Sequence, residues 1–288
     1  MTLHSANFMH NNEFQNKKSV SMNKPGQTTH LAFLLIFMFI SPLCMSENNT
    51  RWAGKSAAVV LTYDDSLNIH LDQVIPALDK RDMKGTFYLT LSPAAFSERV
   101  QDWRKAAKTG HELGNHTLFH PCSGSPNGRS WVAPEYDLDS YSIKRITEEL
   151  KLTNDVLHYV DGKTERTLAY TCGDTLAGDK SFIPEVKTLF PGARGVANSF
   201  SSPDDVDLYN INAYMAHNVS GDVLISLAQQ AIKEHKLVVF LFHGVGGEHN
   251  LNVSTEAHEA LLNFLDKNRK DVWVAPMLDV VQFLKKEH

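Results

Sequence analysis

Residues 57–65 read AAVVLTYDD, an apolar run that ends in two adjacent carboxylates. The small and β-branched residues of Ala57–Tyr63 are typical of a strand that is buried on both faces, as in a parallel sheet. Asp64 and Asp65 then lie at the carboxyl end of that strand, where barrel enzymes build their sites. One aspartate could bind a cation while the other accepts a proton, or the pair could cap a helix and carry solvated charge.

Strand and helix patterns alternate along the chain that follows this run. The predicted helices are 70–80, 100–108, 140–159, 222–235, 255–268 and 278–285, and the predicted strands are 85–89, 167–171, 195–198, 237–242 and 272–274. This alternation predicts an α/β fold with helices outside a parallel sheet. Over this length, a complete or deformed (β/α) barrel is the natural closure.

The composition excludes several classes of protein. With 288 residues, of which 42% are hydrophobic, the chain is long enough for one packed domain. A net charge of -5 without a long basic run argues against nucleic-acid binding. The three cysteines are too few for a disulfide scaffold, and they lack the CxxC spacing of a structural zinc site.

An unbroken apolar run, Leu31–Ile40, precedes the alternating region. Lysines come before it and small residues after it, which predicts a cleaved signal peptide over 1–46 and one domain over 47–288. The run is too short to span a bilayer comfortably, so no stable membrane span is expected after cleavage. The alternatives are a lipoprotein acylated at Cys44, which the bulky Leu43 before it disfavours, and a buried core helix. The protein is thus expected to be secreted or periplasmic. That oxidising location makes Cys122 and Cys172 a candidate disulfide pair.

Two histidines lie four residues apart in the segment that ends at His120. On one helical turn His116 and His120 would face the same way and could bind one metal ion. Imidazoles together with one carboxylate suit zinc and leave positions open for water and substrate, as in a catalytic site. The loop 122–135 follows directly and contains Trp131; loops of this kind often line sites.

A further histidine comes at the end of an apolar strand. The strand 237–242 (LVVFLF) leads into His243 and then into the glycine-rich turn 244–247. A histidine at a strand end is a candidate general acid, although it could also be a structural residue.

Taken in order, these segments resemble the motifs of the polysaccharide deacetylase family, carbohydrate esterase family 4. Residues 62–65 (TYDD) look like its first motif, 116–120 (HTLFH) like its second and 241–243 (LFH) like its last. The resemblance covers roughly residues 57–284 and implies a deformed β/α barrel. It also implies a metal-dependent hydrolase that removes N- or O-acetyl groups from an oligo- or polysaccharide, with a metal-bound water as nucleophile.

The same resemblance assigns roles to individual residues. It makes Asp65, His116 and His120 the metal ligands, Asp64 the catalytic base and His243 the catalytic acid. The expected cofactor is a divalent metal, most often Zn²⁺, with Co²⁺ or Ni²⁺ as alternatives. The expected partner is an acetylated saccharide.

The third and fourth motifs depart from the family pattern. Residues 168–174 read LAYTCGD, and Ala169 falls where the family has an arginine that orients the base. Another group must therefore hold Asp64, and Arg166 and Arg194 are the candidates. The fourth motif is only loosely suggested by Asp204, Asp205, Asp207 and Tyr209.

Three further residues are expected near the substrate. The backbone N–H of Cys172 would take the oxyanion-stabilising position, and a Cys122–Cys172 disulfide would brace the second and third motifs. Trp131 and Tyr170 could stack on sugar rings or could simply be packed aromatics. Two other functions stay open: a non-catalytic saccharide-binding protein on the same fold, and an amidohydrolase acting on a small non-sugar amide.

Overall fold

Twelve strands and eight α-helices occur in the residues that the computed structural model describes, 51–127 and 129–287. The strands are β1 (Ala57–Asp64), β2 (Thr86–Leu89), β3 (Glu112–Asn115), β4 (Leu168–Ala169), β5 (Leu176–Ala177), β6 (Lys180–Ser181), β7 (Ala193–Arg194), β8 (Tyr214–Met215), β9 (Leu237–Phe242), β10 (Gly244–Val245), β11 (Asn252–Val253) and β12 (Val272–Val274). The α-helices are α1 (Ile75–Asp79), α2 (Ala94–Ser97), α3 (Val100–Lys108), α4 (Ile143–Asp161), α5 (Ile183–Leu189), α6 (Gly221–Glu234), α7 (Thr255–Lys267) and α8 (Met277–Glu287).

The central strand is β1, and every one of its residues is buried. The main sheet has the order β7-β4-β3-β2-β1-β9-β8, and β12 also pairs with β1. On one side β1 pairs with β9; on the other side its amino-terminal half pairs with β12 and its carboxyl-terminal half with β2. All pairings within this sheet are parallel, which confirms the predicted α/β architecture.

A row of three stacked aromatic rings crosses the sheet just before its carboxyl edge. Tyr63 pairs in register with Phe87 on β2 and with Phe242 on β9. Its ring centroid lies 5.0 Å from that of Phe87 and 5.3 Å from that of Phe242, and both pairs are stacked. Because successive side chains of a strand point to opposite faces, Asp64, the last residue of β1, projects from the other face, and His243 comes directly after β9.

Several predicted strands end at different residues from those expected. A strand over 195–198 is wrong: the strand is β7, whose Arg194 forms a parallel bridge with Ile211, and residues 195–198 form no strand. The sequence pattern also missed β3, because Glu112 breaks the apolar pattern. Glu112 is nevertheless buried, since its carboxylate accepts hydrogen bonds from the backbone and hydroxyl of Thr167 at 2.8 and 2.7 Å.

The described residues belong to one compact unit, 47–288. None of the helices described is both long enough and apolar enough to cross a membrane. The predicted signal peptide, residues 1–46, lies outside the described residues.

Buried neutral histidines predict that the fold loses stability in acid. Burial lowers the pKa of His258 to about 3 and that of His111 to about 4. In the unfolded chain histidine has a pKa of about 6.5, so the unfolded state binds more protons between those values. Above about pH 6.5 these two histidines do not lower the free energy of unfolding. As the pH drops toward 4, the free energy of unfolding falls by up to about 1.4 kcal/mol per pH unit for each of the two groups.

Denaturant unfolding at several pH values between 7 and 4.5 checks this expectation. His258 Nε2 lies 2.8 Å from the hydroxyl of Tyr63. The variant His258→Gln keeps an acceptor for that hydroxyl and removes the titrating ring, so its pH dependence should be shallower. An equal pH dependence in the two proteins would contradict a neutral His258.

Candidate active site

The predicted site residues meet at the carboxyl edge of the parallel sheet. Asp64 is the last residue of β1, His116 follows β3, and His243 follows β9. A cavity of about 460 Å³ opens at this edge, within the range of roughly 300–1,000 Å³ that is usual for ligand pockets. Its lining includes all eight residues predicted for the site: Asp64, Asp65, His116, His120, Trp131, Tyr170, Cys172 and His243.

The two histidines of the second motif lie on a sharply bent loop. The predicted helical turn is wrong, because Thr117 and His120 have φ of 67° and 56°, in the left-handed region. Asn115 stabilises the bend, since its side-chain oxygen accepts the N–H of Thr117 at 2.8 Å. The bend still places the rings of His116 and His120 with their centroids 4.9 Å apart.

The long helix α4 holds this loop from behind. The backbone N–H groups of Leu118 and Phe119 both donate to the Glu149 carboxylate, at 3.2 and 3.0 Å. The side-chain amide of Asn115 donates to the carbonyl of Leu150 at 3.0 Å. Hydrogen bonds to α4 therefore hold the loop in place.

One carboxylate oxygen lies between the two imidazoles. Asp65 Oδ1 is 3.5 Å from His116 Nε2 and 3.4 Å from His120 Nε2, and the oxygen is buried with no hydrogen-bond partner among the described residues. His116 Nδ1 lies 2.9 Å from the Ala169 carbonyl, which can only accept, so Nε2 keeps its lone pair. Two imidazole nitrogens and one carboxylate oxygen within 4.8 Å of one another fit a divalent cation.

The charges around Asp65 favour its ionised form. Burial alone would raise the pKa of this carboxyl, but the imidazoles of His116 and His120 hold it well below its usual range. Burial likewise opposes protonation of His116, yet the carboxylates of Asp64 and Asp65 raise its pKa. The site is thus an anionic pocket surrounded by imidazoles, suited to a cation.

Arg194 holds the second carboxylate. Its guanidinium forms an ion pair with Asp64, and both side chains are almost completely buried. The guanidinium carbon also lies 5.1 Å from the ring centroid of Tyr88. Arg194 on β7 pairs in register with Ala169 on β4, so the arginine missing at Ala169 is supplied from the paired position of the neighbouring strand.

The other candidates for the divergent motifs lie elsewhere. Arg166 is buried against Asp161, at 3.1 Å, and donates to the Leu113 carbonyl at 2.7 Å, so it does not hold Asp64. The residues that loosely suggested a fourth motif also lie away from the cavity. Asp204 pairs with Arg51, and its neighbours accept N–H groups of local turns.

A disulfide joins the loops that follow His120 and β4. Cys122 and Cys172 are bonded, as predicted, across 50 residues of chain. Cys172 has φ of 55°, and Arg129 donates to its carbonyl at 3.1 Å while pairing with Asp174 at 2.5 Å. These contacts fix the turn of Cys172, a residue that lines the cavity.

The two predicted stacking aromatics differ in exposure. Trp131 lines the cavity and its side chain is 61% exposed, so it is available to a ligand. Tyr170 is 2% exposed, packs against Phe182 and donates its hydroxyl to the Tyr209 carbonyl at 2.9 Å. This favours the packed-aromatic interpretation for Tyr170.

His243 lies on the opposite side of Asp65 from the histidine pair. Its Nε2 is 3.7 Å from Asp65 Oδ2, and its carbonyl lies 2.8 Å from His70 Nε2. Burial lowers the pKa of His243 to about 4, although the carboxylates of Asp64 and Asp65 oppose this shift. Its ring is therefore neutral at rest, and once protonated it would be a strong proton donor.

The sequence interpretation missed a fourth histidine of the site, His249. Its ring stacks on that of His243, with centroids 4.7 Å apart and planes at 12°, and its Nε2 lies 3.5 Å from Asp65 Oδ2. The glycine-rich turn 244–247 was the available signal. It sends the chain back over the cavity, so the next histidine in sequence returns to the site.

Comparisons with known proteins identify a family over part of the chain. Residues 53–184 match the family described as polysaccharide deacetylase. Protein YlxY of Bacillus subtilis strain 168 is 30% identical over 106 residues, which are 37% of this chain and 28% of that protein. The chain therefore spans less than a third of this relative.

Two solved structures share the fold. One, from Pseudomonas aeruginosa PAO1, is described as a probable polysaccharide deacetylase and aligns with a TM-score of 0.58 and 10% identity over 83% of this chain and 94% of that one. A Mycobacterium smegmatis structure with a similar description aligns with a TM-score of 0.58 and 14% identity over 81% and 92%. These matches confirm the predicted deformed (β/α) barrel.

The buried Asp64–Arg194 pair predicts strong coupling between the two residues. Arg194→Met leaves the Asp64 charge buried without its cation and should destabilise the fold by about 3–5 kcal/mol. Adding Asp64→Asn removes that charge, so the double variant should recover part of the loss. Denaturant unfolding of the four proteins gives the coupling energy; strictly additive effects would contradict the pairing.

Proposed function

We propose, because the chain belongs to the polysaccharide deacetylase family, that it is a metal-dependent hydrolase that removes acetyl groups from a saccharide. One observation carries the proposal: the buried Asp65 Oδ1, without a hydrogen-bond partner among the described residues, lies between the Nε2 atoms of His116 and His120. Beside it, a second carboxylate, Asp64, is paired with an arginine. A cation site next to a fixed proton acceptor supports hydrolysis.

The metal ligands in this proposal are Asp65, His116 and His120. A bound divalent cation, of which zinc suits these donors best, would polarise the acyl oxygen and lower the pKa of a coordinated water from 15.7 to about 7. The protein's share is to orient the ligands: the Ala169 carbonyl holds Nδ1 of His116, so that its Nε2 faces Asp65.

Two side chains would move protons. Asp64, held by Arg194, accepts the proton of the attacking water, and His243 delivers a proton to the departing amine or alcohol. Burial lowers the pKa of His243 to about 4, so its resting ring is neutral, and the proton that it delivers is the one that the attacking water first gives up to Asp64. The backbone N–H of Cys172, on the turn fixed by the disulfide, stabilises the oxyanion.

The cavity supports a saccharide as substrate. Trp131 lines the cavity, and its exposed ring offers a flat apolar surface to the C–H face of a sugar. The acetyl group would enter toward the carboxylates while the sugar stays near Trp131. Whether the acetyl is bound through nitrogen or oxygen changes only the group that His243 protonates.

Acetate release from purified protein tests this function. Positioned acid–base groups each contribute about 10²–10⁴-fold, so Asp64→Asn and His243→Ala should each lower kcat at least about 100-fold. Asp207→Asn, on an exposed turn outside the cavity, is the control and should keep full activity. Substrates are acetylated chitooligosaccharides, acetylxylan, peptidoglycan and small acetamides.

The outcomes separate the alternatives. Acetate from a saccharide, abolished by a chelator and restored by zinc, supports the proposal. Acetate only from small amides would support an amidohydrolase, and saccharide binding without acetate would support a non-catalytic binding protein. Full activity in either site variant would refute the assigned proton roles.

We also propose that residues 1–46 direct export. The Cys122–Cys172 disulfide supports this, because structural disulfides persist in oxidising locations outside the cytoplasm. N-terminal sequencing of protein from the periplasm or medium of a bacterial host should find Glu47 first. Protein that stays in the cytoplasm with its first residues intact would contradict the proposal.

A further inference from the structure

His249 has no role in the mechanism above, although it lies inside the cavity. The family motifs do not include it, and its side chain is about 30% exposed. Its ring stacks on His243 with planes at 12°.

A backbone hydrogen bond fixes which nitrogen of His249 carries the proton. The N–H of Leu251 donates to His249 Nδ1 at 3.0 Å, so Nδ1 is an unprotonated acceptor. The neutral ring must then carry its hydrogen on Nε2. That atom has no free lone pair, so His249 cannot bind a cation through it, and it can only donate.

The two oxygens of Asp65 have different neighbours. Oδ1 lies between His116 Nε2 and His120 Nε2, at 3.5 and 3.4 Å. Oδ2 lies 3.5 Å from His249 Nε2 and 3.7 Å from His243 Nε2. One oxygen thus faces two candidate ligands, and the other faces a nitrogen that must donate.

The loop of His249 is held firmly by its neighbour. The Glu248 carboxylate accepts the backbone N–H groups of Asn68 and Ile69 at 3.1 and 2.6 Å, and the side-chain amide of Asn68 at 2.9 Å. The side-chain oxygen of Asn252 accepts the N–H of Gly247 at 2.9 Å. His249 is therefore kept next to Asp65 without help from a substrate.

We propose that His249 is a positioning residue for the metal-binding carboxylate. Its Nε2–H donates to Asp65 Oδ2 and so turns Oδ1 toward His116 and His120; a shift of about 0.5 Å gives an ordinary hydrogen-bond length. Ligating carboxylates are commonly oriented in this way, and losing such a partner costs about 10–100-fold in metal affinity. The inference rests on the proposed function, because it concerns the same cation.

The test compares two substitutions that each keep one property of the ring. His249→Phe keeps the stacking on His243 and removes the donor, whereas His249→Gln keeps a donor near the Nε2 position and removes the ring. Both lose the contact with Leu251. The control is His158→Phe, because this exposed histidine of α4 also contacts an aromatic ring, that of Tyr159 with centroids 6.1 Å apart, but lies outside the cavity.

Zinc affinity is measured by competition with a chromophoric chelator, without substrate. We expect His249→Phe to weaken zinc binding about 10–100-fold, with His249→Gln within a few-fold of the wild type and the control unchanged. Wild-type affinity in the Phe variant, or equal losses in the Phe and Gln variants, would overturn the inference. A wild-type protein that binds no zinc would instead refute the proposed function, so the two failures are distinguishable.

Discussion

Two adjacent carboxylates at the end of a buried strand are the constraint on which the rest of this structure depends. Burying a charge is costly unless opposite charge or hydrogen bonds compensate it. Asp64 and Asp65 need separate solutions, because β1 ends at Asp64 and the chain turns at Asp65, whose φ is 79°. Asp64 is paired with Arg194, whereas Asp65 is surrounded by imidazoles and keeps one oxygen without a hydrogen-bond partner among the described residues.

The surrounding elements can be understood as supports for these two groups. The stacked rings of Phe87, Tyr63 and Phe242 fix the carboxyl ends of β1 and β9, so the residues that follow Tyr63 and Phe242 reach the cavity from fixed positions. The loop of His116 is tied to α4 and the turn of Cys172 to a disulfide. Side chains that are held in place before a ligand binds favour a catalytic use over a merely structural one.

Much of this was predictable because the informative patterns are local. The run AAVVLTYDD, the histidine pair and the strand before His243 can each be recognised from a few consecutive residues. The parallel fold then brings these segments together at one edge of the sheet. The prediction of a helical turn between His116 and His120 was wrong, because a left-handed backbone, as at Thr117 and His120, produces no apolar pattern in the sequence.

The unpredicted parts of the site depend on contacts between distant segments. Arg194 was only one of two candidates, since its pairing opposite Ala169 depends on the register of two strands of two residues each. His249 was missed because a glycine turn, rather than a strand, returns it to the cavity. Both residues contact carboxylates that the sequence identified. The reacting side chains were therefore easier to predict than the side chains that orient them.

The central claim is that the oxygen of Asp65 facing His116 and His120 is a cation ligand. Elemental analysis of purified protein, after incubation with zinc and removal of the unbound metal, tests it most directly, with Asp65→Asn as the comparison. The account predicts about one zinc per wild-type chain and far less in the variant. No retained zinc in the wild type, or equal amounts in the two proteins, would contradict it.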